Sequence, residues 1–499
     1  MRKKIIYCLI IMFVWSTQII AQSIPSELWL VRDYEAGLDL GLHWQSNTLL
    51  KPYPLQSMID GDTTQTSSLW IEQHRTDYGR RWNALKEPKV MIWPGVISQW
   101  KQGDAKTEGS DFRALFLFGQ FEFRNWYANL YVRSATRADA FVNFTPHDRP
   151  ISRAGMHAGE IDQALIGYRN SWAHVSFGRG RQIWGPFLRD NAILSSSSAS
   201  YDHLAVQLFY KRWTLTYFHG FLEAIQDVQG KHQVRYVAGR ALQYRPYRNG
   251  LIALGETSIY YGENRSFDSG FMNPLIPHIE NEQNKRENIA NGNLSNAIWF
   301  VAMDFHLPWH FRISGSVVFD EFQLDQADRD QGRPDAMAYQ LRLAKSWVGP
   351  KSAFTLFGRY DAAGSYTYRH ENPYTSFASR GLPLAMPQGS DFFQWTGGIR
   401  WILPYRISIE ADYDYMEQGE NNIKTLMYVP YSEFISIPFP SGDTVSDETI
   451  TIHALWAVRP HIDCGVGAVI QRLKSNNAEQ NQSTIFLRLS VHWPVMKSF

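Results

Sequence analysis

Cysteine is nearly absent. Cys8 and Cys464 are the two in 499 residues, and Cys8 sits in a segment expected to be removed on export. The mature chain can therefore close no internal disulfide and offers no cysteine cluster to a metal. Neither sign of charge is in excess, with 49 basic against 48 acidic residues. Nucleic acid, which needs a concentrated basic surface, is not an expected partner. Long apolar runs are missing too: Ile5 to Trp15 is well short of the about 20 residues a membrane-crossing helix needs. Aromatics, by contrast, are plentiful, with 18 Trp, 25 Tyr and 29 Phe in a chain of slightly polar mean hydropathy. Many aromatics, a polar average and no helix-length apolar run are the composition of a membrane β-barrel, where every second strand residue faces lipid.

Arg2, Lys3 and Lys4 precede the apolar run, and polar Ser16 to Gln18 and small Ala21 follow it. This order reads as a secretory signal over residues 1–22, cut just after Ala21 or Gln22. Residues 89–499 then show period-two alternation in segments of about ten residues. Between Arg406 and Tyr415, Ile407, Ile409, Ala411, Tyr413 and Tyr415 alternate with Ser408, Glu410, Asp412 and Asp414. The final segment alternates in the same way from Ile485 to Val495 and ends at Phe499; a closing aromatic resembles the assembly signal of bacterial outer-membrane barrels. Strand starts are predicted near residues 90, 112, 126, 161, 172, 204, 213, 233, 250, 298, 309, 336, 352, 392, 405, 447, 461 and 483.

The connections alternate as well. Short turns at Arg124-Asn125, Asn170-Ser171, Arg245 to Gly250, Leu307-Pro308, Val348 to Lys351 and Leu403-Pro404 separate long segments at 135–160, 181–203, 262–297, 362–391 and 417–446. Outer-membrane barrels pair short periplasmic turns with long external loops in this way. The expected fold class is thus all-β: a transmembrane antiparallel barrel of about eighteen strands in the bacterial outer membrane, among its lipid and lipopolysaccharide. Residues 23–88 break the pattern. Ile71, Tyr78, Trp82 and Leu85 share one face of a helix predicted over Ser67 to Glu87, and strand-like alternation at Leu38, Leu40 and Leu42 precedes it. A barrel of this size encloses a wide lumen, so 23–88 is read as a periplasmic helical plug or cap; a linker helix on the rim is the alternative.

Chemistry concentrates in Gly178 to His203. Gly180, Gly185 and Pro186 interrupt regular structure and gather Arg179, Arg181, Trp184, Asp190 and Asn191. An aromatic face can stack on a sugar ring, and the planar fork of Arg matches carboxylates and paired hydroxyls. Ser195 to Ser198 with His203, Asp190 and Asp202 suggest a serine hydrolase only weakly, because a triad is recognised by geometry rather than sequence proximity. No catalytic residue and no cofactor is expected.

The run GRGRQIWGPF, a serine-rich stretch, YDHL, and Phe271-Met272-Asn273-Pro274-Leu275-Ile276 together resemble the Wzi-type capsule assembly proteins across the mature chain. The resemblance implies an eighteen-stranded outer-membrane barrel with a periplasmic helical bundle. It also implies a lectin that fixes capsule or exopolysaccharide at the cell surface, and it adds Asn273 to the candidate polysaccharide-binding residues. A diffusion porin is the alternative function.

Overall fold

The computed structural model describes residues 29–42, 48–51, 69–103, 111–137, 141, 143, 152–159, 161–227, 229–278, 280, 295–323, 326–430, 434–459, 461–476 and 478–499. The expected signal segment lies outside these residues.

Eighteen antiparallel strands close into one barrel. The first six are β1 (Lys89–Gly103), β2 (Phe112–Phe123), β3 (Trp126–Ala135), β4 (Gln163–Arg169), β5 (Ala173–Gly180) and β6 (Tyr201–Tyr210). There follow β7 (Trp213–Phe221), β8 (His232–Tyr244), β9 (Gly250–Glu263), β10 (Ser295–Leu307), β11 (Phe311–Glu321) and β12 (Ala336–Val348). The circuit is completed by β13 (Ala353–Ala363), β14 (Phe392–Leu403), β15 (Ile407–Gln418), β16 (Val445–Arg459), β17 (Ile462–Ser475) and β18 (Ala478–His492, continued by Val495–Ser498). Each strand starts within a few residues of its predicted position.

Alternation sorts the side chains between lipid and lumen. On β2, Leu115, Leu117 and Phe121 are exposed while Phe116, Phe118 and Gln120 are buried. Aromatic side chains ring both ends of the exposed band: Trp126, Trp172, Trp213 and Trp309 near the short turns, Trp100, Trp299 and Trp395 near the long connections. Such rings mark the two faces of a bilayer. On β15 the predicted polar positions line the lumen, where Glu410 pairs with Arg400 and His453.

The lumen is filled. Next to β1 and β2, Trp82 packs with Met91, Trp93, Phe116 and Phe118. Trp82 belongs to helix α2 (Trp70–Asn83), which falls inside the predicted helix. Helix α1 (Trp29–Asp39) replaces the strand-like alternation expected at Leu38, Leu40 and Leu42. Those three leucines are all buried, as the last turn of a helix and the bend after it, with Leu40 and Leu42 packed against Ala353 and Ile402 of the wall. Spacing alone does not separate that arrangement from a short strand.

At the seam, Gly95 pairs with His492 and Ile92 with Val495. Phe499 is exposed at the foot of this seam, its N–H donating to the Pro88 carbonyl. Deleting Phe499 is expected to lower the amount of heat-modifiable barrel in the membrane several-fold, because the aromatic is what an insertion machinery can read. Normal levels of folded protein on a heated-versus-unheated gel would reduce it to an ordinary strand end.

Candidate functional site

The connection from β5 to β6 turns into the lumen instead of standing above it. Gly185 has φ +130, and a Cβ there would lie 2.3 Å from the Asn191 side-chain oxygen, so only glycine permits the inward turn. Trp184 then sits with none of its surface exposed, its ring against Phe218 and Phe300 of the wall. The Asn191 amide donates to the Phe187 and Arg189 carbonyls and accepts from the Phe187 N–H. It therefore staples the loop rather than facing solvent. The loop tip reaches the far wall: Gln340 and Arg359 donate to the Asp190 carbonyl, at 3.0 and 2.9 Å. The Asp190 carboxylate accepts from Ser197.

Arg181 is tied down as well. It donates to the Ser198 carbonyl and, at 2.8 Å, to Asp162, a carboxylate it shares with Arg133. Arg179 points the other way, on the outer face of β5 with Phe177, and grips Asp202 with two hydrogen bonds. Asn273 lies apart again, exposed in the connection after β9, with its side chain accepting from the Leu275 N–H. The structure thus brings Arg181, Trp184, Asp190 and Asn191 together in one loop and leaves Arg179 and Asn273 outside it. Ser195 and Ser198 direct their hydroxyls to main-chain carbonyls, and the His203 ring contacts Gln182 and the Tyr201 carbonyl.

A second connection, 364–391, crosses the barrel and interlocks with the first. The Leu384 carbonyl accepts from the Ser195 N–H, and the Tyr368 hydroxyl donates to the Ala192 carbonyl. Tyr368, Phe377, Leu384 and Met386 share one apolar cluster with Trp184, so a protein-like core occupies the barrel. The anchor is Arg235 of β8, fully buried, whose guanidinium donates to the carbonyls of Tyr374, Ser376 and Ala378 at 2.6, 2.7 and 3.0 Å. Its charge also lies 5.3 Å from the centre of the Tyr428 ring. Burial pushes the Tyr428 hydroxyl well above its ordinary pKa, so it stays a donor, bonded to Glu223.

Around this anchor collect half-buried Tyr374, its ring tilted against that of Tyr261 at 5.1 Å, and Asn372, which donates to the Tyr261 hydroxyl. The Glu223 carboxylate also receives the Arg380 N–H. The sequence does not single out these residues, because Glu223, Tyr261 and the 372–380 stretch lie far apart in the chain. The available signal was Arg235 itself: a cation whose neighbours Val237 and Ala241 in the same register are apolar.

A family described as capsule assembly protein Wzi matches residues 99–485. Among solved structures, Wzi of Escherichia coli, described as a carbohydrate-binding β-barrel involved in group 1 capsule assembly, superposes with TM-score 0.60 at 13% identity, over 95% of this chain and 99% of that one. OprD of Pseudomonas aeruginosa gives TM-score 0.42 at 10% identity over 81% and 94%, and OmpT of Vibrio cholerae 0.37 at 10% over 82% and 99%. No curated protein matches.

Proposed function

The chain belongs to the Wzi capsule assembly family, and from that membership we propose that it is a non-enzymatic outer-membrane lectin that holds capsule or exopolysaccharide at the cell surface. The supporting observation is the cap over the long-connection end, pinned by Arg235 and carrying Tyr261, Tyr374, Glu223 and Arg380. The face of half-buried Tyr374, beside buried Tyr261, suits the C–H surface of a sugar ring, while a carboxylate and a guanidinium suit its hydroxyls and acidic groups. Arg181, Trp184, Asp190 and Asn191 serve this surface from beneath, by holding the loop on which the cap rests. Helices α1 and α2 act as the plug at the periplasmic end, and the long connections face outward. A filled lumen favours binding over diffusion, which needs an open channel.

The test is Tyr374→Ala with Arg380→Ala. Each contact with one sugar contributes little, about 1.5–3 kcal/mol for a charged hydrogen bond, but a polymer bridges many barrels and the loss multiplies through avidity. At matched levels of folded barrel, polysaccharide is expected to move from the cell-bound to the released fraction. Unaltered retention would remove the cap from the binding surface.

A further inference from the structure

The lipid-facing band has a gap on β7 to β9. Facing is fixed by the lumen core, where Val237 and Ile259 belong and Gly239 abuts Trp184. Arg240 on β8 and Glu256 on β9 therefore face outward. On β10 the outward residues run from Leu307 to Trp299 without a charge. That is about 20 Å of band at the usual strand rise and tilt, against the ~25 Å expected. On β8 the outward apolar run is Tyr244 and Leu242, and then comes Arg240, roughly 10 Å above the aromatic ring near the short turns. Arg240 and Glu256 form an ion pair at 3.1 Å, with Glu256 directly across from Trp299. A bare ion pair at this level, just inside the outer aromatic ring, would face lipid, which is costly.

It is not bare. The chain leaving β9 folds back down the outside of the wall, and both charged residues are buried. Phe271 stacks on outward-facing Tyr260 at 4.1 Å. The wall satisfies the backbone of this irregular segment: Tyr217 donates to the Phe271 carbonyl, Arg240 to that of Asn273, and Tyr236 to that of Arg265. Tyr260 accepts from the Asp268 N–H and Glu256 from the His278 N–H. Within the segment, Asp268 receives the Gly270 N–H and Asn273 the Leu275 N–H. Meanwhile Phe267, Met272 and Leu275 are exposed, Leu275 at 76%.

Irregular backbone at membrane depth is tolerated where protein buries it; here wall side chains bond the carbonyls of Arg265, Phe271 and Asn273 and the N–H groups of Asp268 and His278, while Phe267, Met272 and Leu275 stay exposed. We propose that residues 265–278 are a re-entrant membrane segment that lies against the barrel wall and contacts the acyl chains of the outer leaflet. It repairs the band where Arg240 and Glu256 interrupt it. Next along the wall from Glu256 and Trp299 come lipid-facing Leu254 and Val301. Asn273 acts here as a turn residue of the segment, and the inference does not depend on which ligand the cap binds.

The test uses a nitroxide label at Leu275→Cys in a Cys464→Ser background, with the mature chain folded into phosphatidylcholine vesicles. Labels at Leu254→Cys and Lys424→Cys give the lipid and water references. The ratio of collisions with oxygen to collisions with a water-soluble nickel chelate is expected to match position 254 and to exceed position 424 several-fold. A ratio like that at 424 would put the segment in water and overturn the proposal. Shielding of position 275 from both reagents, as a second copy of the chain or bound polysaccharide would produce, would overturn it equally.

Discussion

Replacing Asp39 by alanine is expected to free helix α1 from the barrel wall while the barrel itself stays folded. The Asp39 carboxylate, fully buried at the end of α1, accepts from Arg342 at 2.7 and 2.9 Å and from Arg312 at 2.9 Å, with Arg400 at 3.4 Å. Arg312 keeps Asp304 and Arg400 keeps Glu410 in the variant, but Arg342 loses its carboxylate. Removing one partner of a buried pair costs about 3–5 kcal/mol because the other charge is left uncompensated. Amide exchange in α1 should therefore speed up by about two to four orders of magnitude, with heat-modifiable mobility unchanged. Unchanged exchange in α1 would show that apolar packing alone holds it. The pH dependence has a definite sign. Burial would raise the Asp39 pKa, but the guanidinium groups of Arg342 and Arg312 outweigh it and hold the carboxyl well below the usual range. This stabilisation is fully present above the unfolded carboxylate value near 3.9 and is lost only as pH falls through the lower folded value. Neutral and mildly acidic media should leave α1 docked.

The second large effect belongs to Arg235→Met. It removes the guanidinium donor from the carbonyls of Tyr374, Ser376 and Ala378; the Ser376 carbonyl keeps the Ala378 N–H, and the other two lose their donor at a cost of about 1–3 kcal/mol each. The cap should then open, seen as protease cleavage within 364–391 and shedding of polysaccharide at normal barrel levels. On the proposed reading the lumen is blocked in two layers, by 181–200 with 364–391 and by the N-terminal helices. Steady ion currents in planar bilayers are thus expected from Arg235→Met combined with Asp39→Ala and from neither alone. Large currents from the wild-type chain would contradict the whole picture of a filled barrel.

The wall was legible in the sequence because lipid imposes a rule on every second residue. The alternation of Ile407 to Tyr415 stands in β15 as read, with Arg406 in the turn before it, and the short turns at 245–250, 307–308, 348–351 and 403–404 fall where Pro or Gly interrupts the pattern. The paths of the long connections were not legible. Whether 181–200 enters the lumen and 265–278 runs down the outside depends on contacts between residues far apart in the chain, such as Ala192 with Gln340 or Phe271 with Tyr260. Trp184 was read as a sugar platform from its arginine neighbours; its burial follows from the inward turn at Gly185, which a one-dimensional pattern does not encode. The sequence does carry one clue: Arg240 occupies a lipid-facing register between Ala238 and Leu242, and a charge in that register calls for a cover.

The seam joins strands from opposite ends of the barrel sequence, β1 with β18. Until β18 is made, β1 carries a complete row of unpaired N–H and C=O groups along one side. This is the kind of edge that recruits stray strands and seeds aggregation. That edge therefore needs protection until the barrel closes, and the slow step of assembly is expected to be its capture by the last strand. Substitutions that weaken the seam, such as proline in place of Val491, should act on the yield of assembled protein far more than on the endurance of barrels already closed.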